Sequence, residues 1–173
     1  MKTKIIFTIT IMFFFIIPIT FWGQTSITAF VPSSDVKVGD NMLDGRLIDI
    51  GGNTKQLSDY LGKYILLDFW HSGCKACIMA LPTMKQISET HQDKLTIIGI
   101  SQNTDKEWKE ISAKHDIPWI NLRDPKSIVG LASNYGLTGF PHYVLISPEG
   151  KVIDIWMGFS EHLLKIKVVE KIK

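Results

Sequence analysis

An apolar segment that runs directly into a Cys-x-x-Cys pair constrains this chain more than any other feature. Residues 64–70 are nearly all apolar and lie between Gly62 and Gly73, a pattern typical of a strand that is buried on both faces. From Cys77 onward, apolar residues recur at helical spacing. The two cysteines of the chain, Cys74 and Cys77, are therefore predicted at the start of a helix that follows a central strand.

A position at a helix N-terminus favours ionisation of the first cysteine. The free backbone N–H groups and the dipole of a helix N-terminus stabilise an anion, so the thiol of Cys74 is expected to ionise readily. A thiolate is the nucleophile of disulfide exchange, and its attack on a substrate disulfide gives a mixed disulfide that Cys77 can resolve. The predicted function is therefore thiol-disulfide exchange, and no cofactor is predicted.

Other uses of the pair are weaker predictions. A structural disulfide that closes so short a loop constrains the unfolded chain very little. Covalent c-type haem is excluded because Ile78, and not a histidine, follows Cys77. A zinc site needs about four ligands, which only histidines such as His71 or His142 could complete, and no metal is predicted. The alternative function that stays open is a copper-binding metallochaperone, which would use both cysteines and one histidine.

The N-terminus predicts export. Lys2 and Lys4 precede an apolar run from Ile5 to Ile17, as in export signals. Residues 1–23 are predicted to be a signal peptide or an N-terminal membrane anchor, and both alternatives stay open. Because the lysines precede the apolar run, the rest of the chain is expected outside the cytoplasm, in the periplasm, and anchored to the inner membrane if the segment is retained.

The remaining chain is expected to be one domain without nucleic-acid partners. Of its 19 basic residues, all but Lys2 and Lys4 follow the leader, where they balance the 17 acidic residues. This balance argues against nucleic acid or an anionic membrane surface as a partner. Residues 24–36 are polar and turn-rich and predict a linker, and residues 37–173 predict one globular domain.

Alternating strand and helix patterns predict an α/β domain with a mixed sheet flanked by helices. An N-terminal β-hairpin is predicted from residues 43–50 and 55–57, and one or two helical turns from residues 57–61. The other predicted strands are residues 95–100, 119–122, 142–146 and 152–156. The other predicted helices are residues 105–115, 127–135 and 161–173.

Several of these features resemble the thioredoxin fold and, within it, the exported TlpA/ResA-like thiol-disulfide oxidoreductases, over roughly residues 36–172. Phe69 and Trp70 precede the Cys-x-x-Cys motif, and Pro82 follows it within the helix. Residues 138–141, with the sequence Thr-Gly-Phe-Pro, are similar to the family's cis-proline segment. Residues 105–124 resemble the βα insertion of the exported members. The resemblance implies a thioredoxin-like fold.

The resemblance also implies a role for each matching residue. Cys74 would be the nucleophile and Cys77 the resolving thiol of a redox-active disulfide. Pro141, in the cis form, would lie against the sulfurs, while the backbone of Phe140 pairs with an extended substrate peptide. Trp70 would shape the substrate-binding surface.

Asp68 is predicted to move a proton. It lies six residues before Cys74, where thioredoxins carry a buried acid, and burial among apolar neighbours should raise its pKa. Such a group can take the proton of Cys77 as that thiol attacks the mixed disulfide. Many family members place a glutamate three residues after the second cysteine, but Ala80 occupies that position here. This departure shifts the proton role toward Asp68.

The resemblance further implies protein disulfide or dithiol substrates and a membrane-bound thiol as electron donor. The usual direction in this family is reductive, and cytochrome c biogenesis is its typical setting. Three further histidines, His91, His115 and His162, fall on predicted helices, where no functional role is expected of them.

Overall fold

The computed structural model describes residues 36–173. The predicted leader, residues 1–23, and nearly all of the predicted linker lie outside the described residues. Val36 is 2% exposed and packs into the hydrophobic core. Within residues 36–173, no helix has the length and apolarity needed to span a bilayer.

Strands and helices alternate around one sheet and are numbered here in chain order. The strands are β1 (Leu47–Ile48), β2 (Thr54–Lys55), β3 (Tyr64–Trp70), β4 (Leu95–Ser101), β5 (Ile120–Arg123), β6 (His142–Ile146) and β7 (Val152–Met157). The helices are α1 (Lys75–Thr90), α2 (Asp105–His115), α3 (Leu131–Asn134) and α4 (Glu161–Val169). Short 3₁₀ helices span Leu57–Tyr60 and Ser127–Val129.

The sheet has the order β2-β1-β5-β4-β3-β6-β7. β3 is parallel to β4 and antiparallel to β6, and β4 is parallel to β5. The mixed sheet with flanking helices is thus confirmed, as is the N-terminal hairpin of β1 and β2. Because β3 is a central strand, the residue that follows it emerges at the middle of the sheet edge.

Alternation along β3 divides its side chains between two apolar layers. Ile65, Leu67 and Phe69 pack into the layer that contains α3. Leu66 lies in the opposite layer with residues of α1 and α4. Asp68 and Trp70 continue the same alternation, so they face the α1 side of the sheet.

Helix α1 begins at the cysteines for a local reason. Cys74 is its N-cap residue, and the sulfur of Cys74 accepts the backbone N–H of Cys77 at 3.0 Å. Ala80, Met84 and Ile87 are buried at the spacing of one helical face. Burying each large side chain of this face contributes roughly 1.5–3 kcal/mol to stability.

The predicted helix over residues 127–135 is wrong as a single element. It is interrupted at Gly130, whose φ of −95° and ψ of −131° are not helical. The buried carboxylate of Asp124 accepts the backbone N–H groups of Lys126 at 2.8 Å and Leu131 at 2.7 Å, and these bonds replace helical ones. Ile128, which a continuous helix would place on the same face as Leu131 and Tyr135, is 57% exposed.

Two other predicted boundaries also differ. The hairpin strands are only Leu47–Ile48 and Thr54–Lys55, shorter than the predicted 43–50 and 55–57. The last helix ends at Val169 and does not reach residue 173. Beyond it, Ile172 is 1% exposed and packs in the layer of α1 and α4, because the chain turns back toward the core.

Candidate active site

Cys74 and Cys77 are joined by a disulfide at the start of α1. Cys74 is 8% exposed and Cys77 is 4% exposed. Both sulfurs lie in a small cluster with the indoles of Trp70 and Trp108. Cys74 is thus the slightly more exposed of the two, and its sulfur lies at the N-cap, where the helix dipole and the Cys77 N–H favour negative charge.

The segment before β6 carries the second part of the site. The Phe140–Pro141 peptide bond is cis, as the resemblance implied. The half-buried ring of Phe140 packs against the cluster of the two cysteines. It also meets the ring of His71 edge-on, with the centroids 4.5 Å apart. The ring of His71 is thus part of this surface, and its Nδ1 accepts the N–H of Gly73 at 3.0 Å.

Asp68 lies beneath the disulfide at the carboxyl end of β3. It is 5% exposed, and its Oδ1 has no hydrogen-bond partner among the described residues. Burial raises the pKa of Asp68 to about 7, in the expected direction. Asp68 and Cys77 line the same small cavity, of about 10 Å³. The arrangement places a carboxyl group that titrates near neutral pH beside the inner sulfur.

Trp70 also lines this cavity and is 4% exposed. Most of the indole therefore packs against Cys74, Cys77 and Trp108 and little of it reaches solvent. This burial leaves little of the residue for contact with a substrate. The residue supports the site from below.

The floor of the site lies on β4, where Gly99 is the register partner of Asp68. A Cβ at Gly99 would come within 3.2 Å of Trp70 Nε1 and within 3.3 Å of both Trp119 Nε1 and Asn121 Oδ1. Three polar atoms thus converge over a residue that has no side chain. Two of them belong to the segment that the sequence identified as an insertion, so the insertion forms part of the floor.

Asn103 fixes the loop that carries the cysteines, and sequence reasoning missed it. Its Oδ1 accepts the backbone N–H of Ser72 at 3.0 Å and the hydroxyl of Ser101 at 3.1 Å. Its Nδ2 donates to the hydroxyl of Ser72 at 2.7 Å. The sequence does carry one signal for this role. Asn103 follows β4, which is parallel to β3, and the loops after neighbouring parallel strands meet at one edge of the sheet.

The copper alternative is not favoured. His142 is 4% exposed, and its Nε2 lies 3.0 Å from the carbonyl oxygen of Tyr135, so this nitrogen donates a hydrogen bond. Burial lowers the pKa of His142. The imidazole packs against Phe69 in the layer opposite α1. Among residues 36–173, no group of three or more His, Cys, Asp or Glu side chains is arranged to hold a metal ion.

Comparison with known proteins agrees with this geometry. A family model described as Thioredoxin-like matches residues 62–152, more than half of the chain. Thioredoxin-like protein YneN of Bacillus subtilis is 25% identical over 127 residues, which cover 71% of this chain and 73% of that protein. Thiol-disulfide oxidoreductase ResA of Bacillus thuringiensis is 26% identical over 147 residues, 79% of this chain and 83% of that protein.

A solved structure is similar over nearly its whole length. The thioredoxin domain of a thiol-disulfide oxidoreductase from Bacteroides vulgatus superposes with a TM-score of 0.72 at 28% identity. The match covers 80% of this chain and 99% of that domain. The thioredoxin-like fold and the resemblance to ResA-like proteins are therefore confirmed. The chain belongs to the thioredoxin-like family, and its enzyme class is that of the thiol-disulfide oxidoreductases.

Proposed function

We propose that this protein acts outside the cytoplasm and reduces protein disulfides through a mixed disulfide on Cys74 that Cys77 resolves. One observation carries the proposal. The sulfur of Cys74 caps helix α1 and receives the N–H of Cys77, while the sulfur of Cys77 is within bonding distance of it. One thiol is thereby favoured as a thiolate, and the other is positioned to displace what the first has captured.

In the first step, the Cys74 thiolate attacks one sulfur of a substrate disulfide. A new S–S bond forms to Cys74, the substrate S–S bond breaks, and the leaving thiolate takes a proton from solvent. The ring of Phe140 packs against the cluster that contains both sulfurs, and the backbone of this segment would pair with the extended substrate chain. Trp70, which packs in the same cluster, would support this contact surface.

In the second step, the Cys77 thiol gives its proton to Asp68, and its thiolate attacks the sulfur of Cys74. The Cys74–Cys77 bond forms and the reduced substrate leaves as a thiolate. Asp68 suits this role because its pKa near 7 lets it accept a proton at neutral pH. The buried Ala80 provides no carboxylate of its own, so Asp68 is the acid-base group of the proposed mechanism.

The location and the electron supply complete the proposal. The basic residues and apolar run of the first 23 residues support export, and the ResA-like relatives are named for the same chemistry. A membrane-bound dithiol would return Cys74 and Cys77 to the reduced state, with two electrons and two protons passing to the disulfide. Cytochrome c biogenesis is the setting that the resemblance favours.

The roles of the two cysteines can be separated by trapping. We expect the full-length Cys77→Ser variant to accumulate a mixed disulfide with a peptide whose two halves are joined only by a disulfide, because the leaving half diffuses away, capture is intact and resolution is lost. The matched Cys74→Ser variant should trap none. Mass spectrometry after acid quenching measures the adduct. Equal trapping by both variants would contradict the assignment of nucleophile and resolving thiol.

The direction can be tested by the reduction potential of the pair. We expect a value at or below about −250 mV when the full chain is equilibrated with dithiothreitol buffers, as for proteins that act as reductants. Tryptophan fluorescence is a suitable readout, since Trp70 and Trp108 contact the sulfurs. A value between about −120 and −180 mV would instead indicate an oxidase or isomerase.

A further inference from the structure

The cavity beneath the disulfide has one lining residue that the mechanism does not use. His115 is the last residue of α2 and lines the cavity together with Asp68 and Cys77. Asp68 is 5% exposed and Cys77 is 4% exposed, but His115 is only half-buried. Of the three titratable groups around this cavity, His115 is therefore the one with access to solvent.

The mechanism requires such access. Each closing of the disulfide leaves a proton on Asp68, and each reduction of the disulfide takes one up, so exchange with solvent lets Asp68 return to the charge state that the next half-reaction needs. Oδ1 of Asp68 has no hydrogen-bond partner among the described residues. The walls around it include the apolar side chains of Ile111 and Ile117, which have no exchangeable proton. The volume of about 10 Å³ has room for about one water molecule, and the Asp68 carboxyl and the His115 ring are the polar groups of the lining that such a water could bridge.

We propose that His115 is the proton-exchange residue that connects Asp68, and through it Cys77, with solvent. The inference rests on the proposed function of Asp68 and assigns a role to the insertion helix. His115 acts through Asp68 and does not react with the sulfurs. An imidazole suits this role because one ring nitrogen can accept a proton while the other donates one.

The proton balance of the step is simple. When Cys77 closes the disulfide, its proton moves to the Asp68 carboxylate, and from the resulting carboxylic acid it passes to a nitrogen of His115, directly or across one water. The other ring nitrogen, or the same one after exchange, releases a proton to solvent. When a dithiol donor reduces the disulfide, the same path runs in reverse and protonates the Cys77 thiolate.

Other charged groups near this path are placed differently. Nζ of Lys85, on α1, donates to the backbone carbonyl oxygen of His115 at 3.2 Å and lies 3.9 Å from Asp116 Oδ2. Its charge is thus directed to the backbone of His115 and to an exposed carboxylate. Tyr143, on β6, interacts electrostatically with Asp68. None of Lys85, Asp116 and Tyr143 lines the cavity.

The test is the lifetime of the mixed disulfide. The reduced full-length protein is mixed with oxidised glutathione, quenched with acid at set times, alkylated and weighed by mass spectrometry. We expect His115→Ala to form the glutathione adduct at the wild-type rate. It should then resolve the adduct about tenfold more slowly at pH 7, a smaller loss than the hundredfold or more expected for a group that transfers the proton directly.

Two further measurements separate proton exchange from packing. Added imidazole should shorten the lifetime in His115→Ala toward the wild-type value, and the pH profile of resolution should change shape in both His115→Ala and His115→Gln. The matched control is His162→Ala, an exposed histidine on α4, which should behave as wild type throughout.

Each other outcome overturns a distinct claim. Resolution at the wild-type rate in the His115 variants contradicts the proposal. Slow resolution that keeps the wild-type pH profile and does not respond to added imidazole also contradicts it, because that result indicates a packing role. If the wild-type protein itself never forms or resolves the adduct, the proposed function fails and not only the role of His115.

Discussion

The charge state of Asp68 should affect the stability of the protein as well as the proposed proton transfer. The pKa of this carboxyl is about 7 in the folded protein and 3.8 in an exposed reference state, because burial disfavours the carboxylate. Between these values the unfolded chain loses its proton first. The contribution of Asp68 to the free energy of unfolding should therefore fall as the pH rises from about 4 to about 7, by about 4 kcal/mol at about 1.4 kcal/mol per pKa unit.

We expect Asp68→Asn to remove this dependence and to be more stable than the oxidised wild type at pH 8, because the amide has nearly the same shape and no charge to bury. Urea unfolding of the oxidised proteins at several pH values measures the difference. Asp93→Asn, at an exposed position, is the control and should leave the pH dependence unchanged. A wild-type curve parallel to that of Asp68→Asn would contradict the buried-charge argument.

His142 should give a pH dependence of the opposite sign. Burial lowers the pKa of its imidazole, so the folded protein holds the neutral ring while the unfolded chain takes up a proton as the pH falls below about 6.5. The stability that His142 contributes is thus present above that pH and is lost toward pH 5.

His142→Gln keeps a side-chain N–H donor for the Tyr135 carbonyl but cannot titrate. We expect the stability difference between wild type and this variant to shrink as the pH falls from about 7 to about 5. Differences between unfolding curves isolate this effect from that of Asp68. The exposed His162→Gln is the matched control. An unchanged difference across this range would show that His142 is not held neutral by burial.

Among the elements, the break before α3 depends on a contact between Gly130 and a buried carboxylate. A Cβ at Gly130 would overlap the carboxylate of Asp124, which accepts the N–H that starts α3. We expect Gly130→Ala to lower the free energy of unfolding by about 2–3 kcal/mol, since the clash displaces a buried acceptor.

Urea unfolding measures this loss, and Gly51→Ala is the control. A Cβ at Gly51 would meet only the ends of the exposed Asn53 side chain and of Asp49, so its effect should stay within about 0.5 kcal/mol. Equal effects of the two substitutions would mean that the Asp124 side chain can move aside at little cost. In that case its contact with Gly130 does not determine where the helix is interrupted.

The elements predicted well are those whose pattern is local. The apolar run of β3 and the helical spacing after Cys77 each specify their own structure, so the core of the site could be predicted from the sequence. The break at Gly130 could not, because periodicity does not report a side chain that bonds backbone N–H groups up to seven residues away. The hairpin strands were overpredicted because their pairing is short and ends in turns.

The contacts of His115 and Asn103 could not be predicted either, because each depends on elements that are distant in the sequence. His115 follows Trp108 and Ile111 on the face of one helix, and this spacing shows that it points inward but not what it meets. The cavity is formed by β3, α1, α2 and the residues before β5, which only the fold brings together. Asn103 likewise joins β4 to the loop after β3.

For the molecule as a whole, charge balance predicts encounters that depend little on salt. The chain has a net charge of +2, and both lysines of the leader contribute to it. Without a strong overall field, electrostatic steering of substrates is weak. We expect the rate of mixed-disulfide formation with a charged disulfide peptide to change less than about twofold between about 50 and 500 mM salt.

Lys75→Glu, which reverses the exposed charge next to Cys74, checks that the assay detects electrostatic effects. This variant should react more slowly at low salt because the thiolate is less favoured, and screening should narrow the gap at high salt. A steep salt dependence of the wild-type rate would indicate a locally charged docking surface, which the small net charge of the whole chain does not reveal.

The convergence of three polar atoms over Gly99 bears on how this protein can be redesigned. Trp119 and Asn121, from the insertion, meet Trp70 above the residue that pairs with Asp68. Replacing Trp119 and Asn121 with small residues would open this wall and let water approach the carboxyl group. The pKa of Asp68 would then move back toward that of an exposed aspartate, so the redesigned protein would keep its cysteines and lose much of the neutral-pH base proposed beneath them.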